Sequence, residues 1–232
     1  MDRLSSLHKD IIICKDELLK MGGLVEWAVD QAIRALKNRD DQLASQIIYG
    51  DKRIDEMENS IDKHCLNMLA TQQPVAKDLR FITSTMRICA YLERIADQAV
   101  NLAQRTQTLA RLDPIEIPKT LLEMGAEAQE MIAESLSSFV QGEIDLAWSV
   151  CQRDDYMDDL NRRLLEEMID EMMSGQRITR RGIELILAGR HLERMGDGAT
   201  NISEEVVFMV EGTVIRHQPG CELPSDGSEA DR

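Results

Sequence analysis

Aromatic side chains make up only 3% of the 232 residues, and prolines number only 5. Sheet-rich domains lean on aromatic and β-branched residues, so this scarcity points away from strands. Met, Leu, Ile and Ala fill the gap, a mix that suits helices. Basic residues are in the minority: 27 Lys and Arg against 42 Asp and Glu leave a formal charge of −15. A surface this acidic repels phosphate backbones, which excludes direct nucleic-acid binding as the expected role. The five cysteines are odd in number and form no C-x-x-C pair, so zinc-finger and disulfide frameworks both fail. Four of them (Cys14, Cys65, Cys89, Cys151) fall in helical patterns as small apolar residues, which suggests a reducing compartment. No apolar run approaches the roughly 18 residues of a membrane span, and the first residues carry charges at once (Asp2, Arg3) and lack a signal-type apolar run. The expectation is a soluble, cytoplasmic protein. No nucleophile with an adjacent base, phosphate-cradling loop or dinucleotide fingerprint is present, so catalysis is not indicated.

What the chain does carry is one stretch written twice. Tyr91–Ala103 reads YLERIADQAVNLA and His191–Ser203 reads HLERMGDGATNIS. Six positions are identical in register: Leu92/Leu192, Glu93/Glu193, Arg94/Arg194, Asp97/Asp197, Ala99/Ala199 and Asn101/Asn201. A repeat of this spacing means two copies of one structural unit, not a short-period solenoid. Each copy sets Glu, Asp and Asn at i, i+4 and i+8, one lengthwise stripe of a helix.

Apolar residues at three- and four-residue spacing predict six long helices. They span about 5–37, 41–69, 74–109, 119–140, 144–173 and 178–211. Asp40 reads as an N-cap, and Gly22-Gly23 as a place where the first helix bends or loosens. The proline-bearing stretch RLDPIEIP at 111–118 reads as a linker. The expected architecture is therefore all-α: a three-helix bundle over 1–112, a second over 119–211, and a mobile acidic tail over 212–232.

At about 100° per residue, Glu93 and Asp97 share a face with Met86, Cys89, Ala96 and Val100. Arg87, Arg94, Gln98 and Arg105 group on another stripe, read as the wet face, as do Arg194 and Glu205 in the second copy. Gly196 and Gly198 each cost helix stability of about 1 kcal/mol relative to Ala, so something is expected to approach the backbone there. The preceding helix of each half adds acids of its own: Asp51, Asp55, Glu58 and Asp62 in one, Asp154 and Asp158 with Asn161 in the other. Antiparallel neighbours would then bring four or more carboxylates together in each half, where like charges repel. Two resolutions stay open on the residues alone. A bound cation (Mg²⁺, Mn²⁺, Fe or carboxylate-bound Zn²⁺, since all donors are oxygen) would remove the conflict, and so would salt bridges to nearby Arg and Lys.

The sequences YLERIADQAVNLAQ, HLERMGDGATNISEEVVFMVEG and QQPVAKDLRFI resemble the repeated E-x-x-x-D motifs and the loop-helix segment of the PhoU family of bacterial phosphate uptake. The resemblance covers the first helix to about residue 212. It implies tandem three-helix bundles that bind multinuclear metal clusters, and a regulator peripheral to the membrane complex. Such a regulator damps the phosphate ABC transporter, through its ATPase, and the phosphate-sensing histidine kinase of starvation signalling. A homodimer is implied as well. Carried over, Asp51, Asp55, Glu93, Asp97 and Asn101 would serve one cluster, and Asp154, Asp158, Glu193, Asp197 and Asn201 the other. Ala96 and Gln98 stand where the family often has Gly and His, and Gly198 replaces that His in the second copy.

Two rival readings follow from the same stripes. A metal-free adaptor would dock a basic partner through its acidic faces. A di-metal carboxylate enzyme would need Glu-x-x-His pairs on the bundle core, but His64 and His191 lie off the acidic stripes and His8 and His217 are terminal.

Overall fold

The computed structural model describes residues 2–174 and 178–215, with side chains from residue 6 onward. Among these residues the chain is helical without a strand: α1 (Asp2–Asn38), α2 (Asp41–Gly50), α3 (Lys52–Gln72), α4 (Ala76–Ala110), α5 (Lys119–Gln141), α6 (Ile144–Gln152), α7 (Asp154–Met173) and α8 (Thr179–Glu211). They make the six expected rods, with α2–α3 and α6–α7 each forming one bent rod. The bends arise where the hydrogen-bond ladder tightens by one residue. Ile54 N–H donates to the Asp51 carbonyl (2.7 Å) and Tyr156 N–H to the Arg153 carbonyl (3.1 Å), both i to i+3. Asp51 itself stays helical at φ −58°, ψ −39°, so the rod turns without breaking.

Local chemistry explains the ends. The Asp40 carboxylate accepts from the backbone N–H groups of Gln42 and Leu43, capping α2 as its position suggested. The Pro74 start expected for the third rod falls two residues later, at Ala76, with extended Val75 before it. Gly212 closes α8 at φ +81°, a left-handed conformation that favours glycine. The tail expected over 212–232 lies outside the described residues from 216 onward, as do Cys221 and His217.

Each half wraps its rods around a stripe of buried residues. In α1 the stripe is Cys14, Leu18, Met21, Val25, Ala28, Ala32 and Ala35. The glycines there do not interrupt α1, which runs as one helix from Asp2 to Asn38. Gly22 instead lets α5 close in: a Cβ on it would sit 3.0 Å from the Leu136 methyls, while one on Gly23 would meet nothing. The bend between α6 and α7 is tied to α5 by one side chain. The Arg153 guanidinium donates to Glu127 (2.5 Å), Glu130 (2.5 Å) and Glu134 (2.8 Å), which project from successive turns of α5.

The halves meet through α4 and α8, which run antiparallel along much of each other's length. The cross-helix pairs are Arg87–Glu205 (3.4 Å), Gln98–His191 (2.9 Å) and Arg105–Glu184 (3.1 Å). Gln98, Arg105 and Glu205 therefore face the partner helix, and Arg87 reaches across to it while staying half exposed. Glu205 is only 1% exposed. Helical angle alone could not separate a wet stripe from a second contact face. The seam runs tight: a Cβ on Gly198 would come within 2.6 Å of Ile95 Cγ1.

Candidate functional site

The bend at Asp51 and the start of α7 at Asp154 place the acids of α3 and α7 opposite those of α4 and α8. In the first half the charges of Asp51, Asp55, Glu58 and Asp97 come near enough to Glu93 to oppose its ionisation. Partial loss of water raises the Asp51 carboxyl from 3.8 to about 6, with Asp55 and Asp97 adding repulsion. Glu93 rises from 4.5 to about 7, again mainly by desolvation, with Asp97, Glu58, Asp55 and Asp51 contributing. Asp97, Glu58 and Asp62 rise for the same leading reason.

The second half repeats the arrangement with Asp154, Asp158, Glu193 and Asp197. Desolvation, then the charges of Glu193, Asp154 and Asp158, lift Asp197 from 3.8 to about 7. Desolvation and the Asp158 charge likewise raise Glu193 and Asp154. The Asp154 carboxylate accepts a hydrogen bond from the Thr200 hydroxyl at 3.2 Å. Of the two asparagines, Asn201 spends its side-chain N–H on the Asp197 backbone carbonyl (2.6 Å), and the Asn101 side chain has no hydrogen bond among the described residues.

The halves are not copies in detail. Glu58 of the first is matched by Asn161 of the second, Val100 by Thr200, and Ala90 by Arg190. Glu58 and Thr200 were not among the residues singled out as ligands. The i+7 spacing of Glu58 from Asp51 carried the signal for the first, while a lone threonine carried none.

None of the eight carboxylates Asp51, Asp55, Glu93, Asp97, Asp154, Asp158, Glu193 and Asp197 has an ion-pair partner among the described residues. The nearby arginines act at longer range: the charges of Arg190 and Arg194 partly offset the upward shift of Glu193, and Arg194 that of Asp197. The donor set, all carboxylate oxygen with an asparagine beside it, suits a hard or borderline cation. Among the described residues no three Asp, Glu, His or Cys side chains close to metal-ligand spacing, so gripping an ion would require rotamer changes. Splayed side chains are the arrangement that mutual repulsion favours.

The remaining titratable groups belong elsewhere. His191 sits in the α4–α8 seam, its pKa lowered to about 4 by burial and by Arg105, Arg194 and Arg190. His64 pairs with Glu17 at 2.7 Å on the α1–α3 face. Cys14 and Cys65 lie with their sulfurs 3.4 Å apart in the core, and the four described cysteines are buried and outside any disulfide. Trp148 is core, while Trp27 is half exposed beside a pocket of about 150 Å³ edged by Asp51, Ile47 and Ile54. The close approach expected at the glycines is real but apolar: Met157 faces Gly196 and Ile95 faces Gly198.

The duplicated geometry has a counterpart among known proteins. The model of the PhoU domain matches residues 18–106 and again 121–206. The chain belongs to the PhoU family. Among curated PhoU relatives, a "phosphate-specific transport system accessory protein PhoU homolog" of Pseudomonas aeruginosa is 40% identical over 206 residues, covering 88% of this chain and 84% of its own. Its Aquifex aeolicus namesake is 35% identical over 212 residues, covering 91% and 96%. The crystal structure of PhoU from Pseudomonas aeruginosa superposes with a TM-score of 0.84 at 39% identity, over 89% of this chain and 99% of that one. The phosphate transport system regulatory protein PhoU from Streptococcus pneumoniae also scores 0.84, at 29% identity, over 90% and 99%.

Proposed function

We propose that this chain is a non-catalytic accessory protein of phosphate uptake that holds metal ions on its two acidic clusters. One observation carries the metal reading: eight carboxylates are gathered in repeat-related sets, Asp51, Glu93, Asp97, Asp154, Glu193 and Asp197 among them raised mainly by desolvation, and none of the eight makes an ion pair among the described residues. Like charges held this way favour whatever cation can sit among them. Asp51, Asp55, Glu93 and Asp97 with Asn101, and Asp154, Asp158, Glu193 and Asp197 with Asn201, would hold the ions, with Glu58 added to the first set. Fe, Zn, Mn or Mg would each suit oxygen donors, and the ion would supply charge neutralisation.

The names of the relatives support the accessory role. We infer that the protein acts at the cytoplasmic side of the phosphate ABC transporter, on its ATPase and on the phosphate-sensing histidine kinase, damping uptake and starvation signalling, as a homodimer. No described helix is long and apolar enough to cross a membrane, which suits a peripheral position.

Elemental analysis of the purified protein, beside a variant carrying Glu93→Ala, Asp97→Ala, Glu193→Ala and Asp197→Ala, tests the metal reading. Metal retained by the natural chain and lost from a folded variant is the expected result. Equal metal in both, or none in either, would hand the acidic faces to docking alone. Capture of the transporter ATPase or the kinase by the same preparation tests the regulatory half. Capture of neither would count against it.

A further inference from the structure

The α4–α8 seam opens outward into a groove of about 300 Å³. Arg94, Arg194, Tyr91, Gln98, Asp197 and Asn201 line it. The two arginines occupy the same position of the duplicated stretch, and the antiparallel pairing of their helices brings both to this one groove. Neither has a carboxylate within ion-pair distance among the described residues, although the chain holds 42 acids. Arg94 lies against the Tyr91 ring, 5.7 Å from its centroid, which steadies the guanidinium at the groove wall.

Gln98 adds a neutral donor. Its side-chain oxygen accepts from His191 Nδ1 at 2.9 Å, which orients the amide and leaves its NH₂ with no partner among the described residues. Two guanidinium forks and an amide NH₂ match the oxygens of a tetrahedral anion, because each fork can offer two parallel N–H bonds. Two cations on one wall also repel until an anion bridges them. Asp197 at one edge and the exposure of both arginines hold the interaction to modest strength.

We propose that this groove binds a small free oxyanion of the phosphate class, bridged between Arg94 and Arg194 with Gln98 as a third donor. The groove shares Asp197 and Asn201 with the second acidic set, but its donors are Arg94, Arg194 and Gln98, so the anion reading does not depend on a bound metal. The groove exceeds a bare anion, so the ion keeps part of its water shell.

The test is calorimetric titration of the full, chelator-treated chain with inorganic phosphate at constant ionic strength set by chloride. Chelation prevents phosphate from binding through a metal, so this result and the elemental analysis can fail independently. A Kd of about 1 mM is expected, weakened about tenfold by either Arg94→Gln or Arg194→Gln. Circular dichroism melting of both variants confirms that they are folded. Sulfate binding with the same arginine dependence would support the assignment, since the shared chemistry is the tetrahedral oxyanion. Absence of binding, binding indifferent to both substitutions, or equal displacement by chloride would overturn it.

Discussion

Chelator-treated protein should melt about 5–10 °C higher at pH 5 than at pH 8, the reverse of acid destabilisation. The direction follows from proton counting. Asp51, Glu93 and Asp197 begin from ordinary values of 3.8, 4.5 and 3.8 and are lifted in the fold to about 6, 7 and 7. Between those limits the folded chain keeps protons that the unfolded chain has released. Stability is therefore greatest below the ordinary values and is lost as pH rises through the raised ones. Conversion at 1.36 kcal/mol per pKa unit overstates the effect, because these carboxylates keep part of their water. A discounted total of about 2–4 kcal/mol remains. The net charge of −15 pushes the same way. The control is a variant with Asp51→Asn, Glu93→Gln and Asp197→Asn, whose melting temperature should be nearly flat over this range. If the natural chain melts lower at pH 5, or the variant keeps the slope, the carboxylates are not crowded as described.

Substituting Gly198 should separate two effects that normally oppose each other. Alanine is a better helix former than glycine by about 1 kcal/mol, and at Gly23, where an added Cβ meets nothing, Gly→Ala should raise stability by about that amount. At Gly198 the same methyl would lie 2.6 Å from Ile95 Cγ1 and 2.9 Å from its Cδ1. Overpacking of this kind costs about 1–3 kcal/mol, so Gly198→Ala should be destabilising overall, and Gly198→Leu should lose about 3 kcal/mol. Denaturant unfolding of a double-mutant cycle with Ile95→Ala identifies the cause. Removing the clashing branch should make Gly198→Ala neutral or stabilising, and strict additivity would mean that the seam is not what holds this glycine.

The periodicity of apolar residues was enough to read the six rods, because a stripe such as Cys14, Leu18, Met21 and Val25 needs only helical spacing to be seen. The acidic sets were legible for a related reason: Glu93 and Asp97 sit one turn apart beside small apolar neighbours. What spacing could not convey was the second contact face of α4. Arg87, Gln98 and Arg105 are polar, and a polar stripe looks the same facing water or facing Glu205, His191 and Glu184 on another helix. The bends at Asp51 and Arg153 also escaped notice, since neither has a proline and both come from a one-residue tightening of the ladder. The glycines showed a close approach without naming what approaches. Small residues admit a ligand or an isoleucine equally well.

The antiparallel α4–α8 seam has the form of a two-fold dimer interface folded into a single polypeptide. In a true homodimer every substitution appears on both sides of the axis at once. Here the tether at 111–118 removes that constraint, because each side of the axis is encoded separately. Glu58 opposite Asn161, Ala90 opposite Arg190 and Val100 opposite Thr200 show that freedom in use. The molecule thus keeps the mechanical economy of a symmetric joint while its two acidic faces are at liberty to specialise, one more strongly negative than the other.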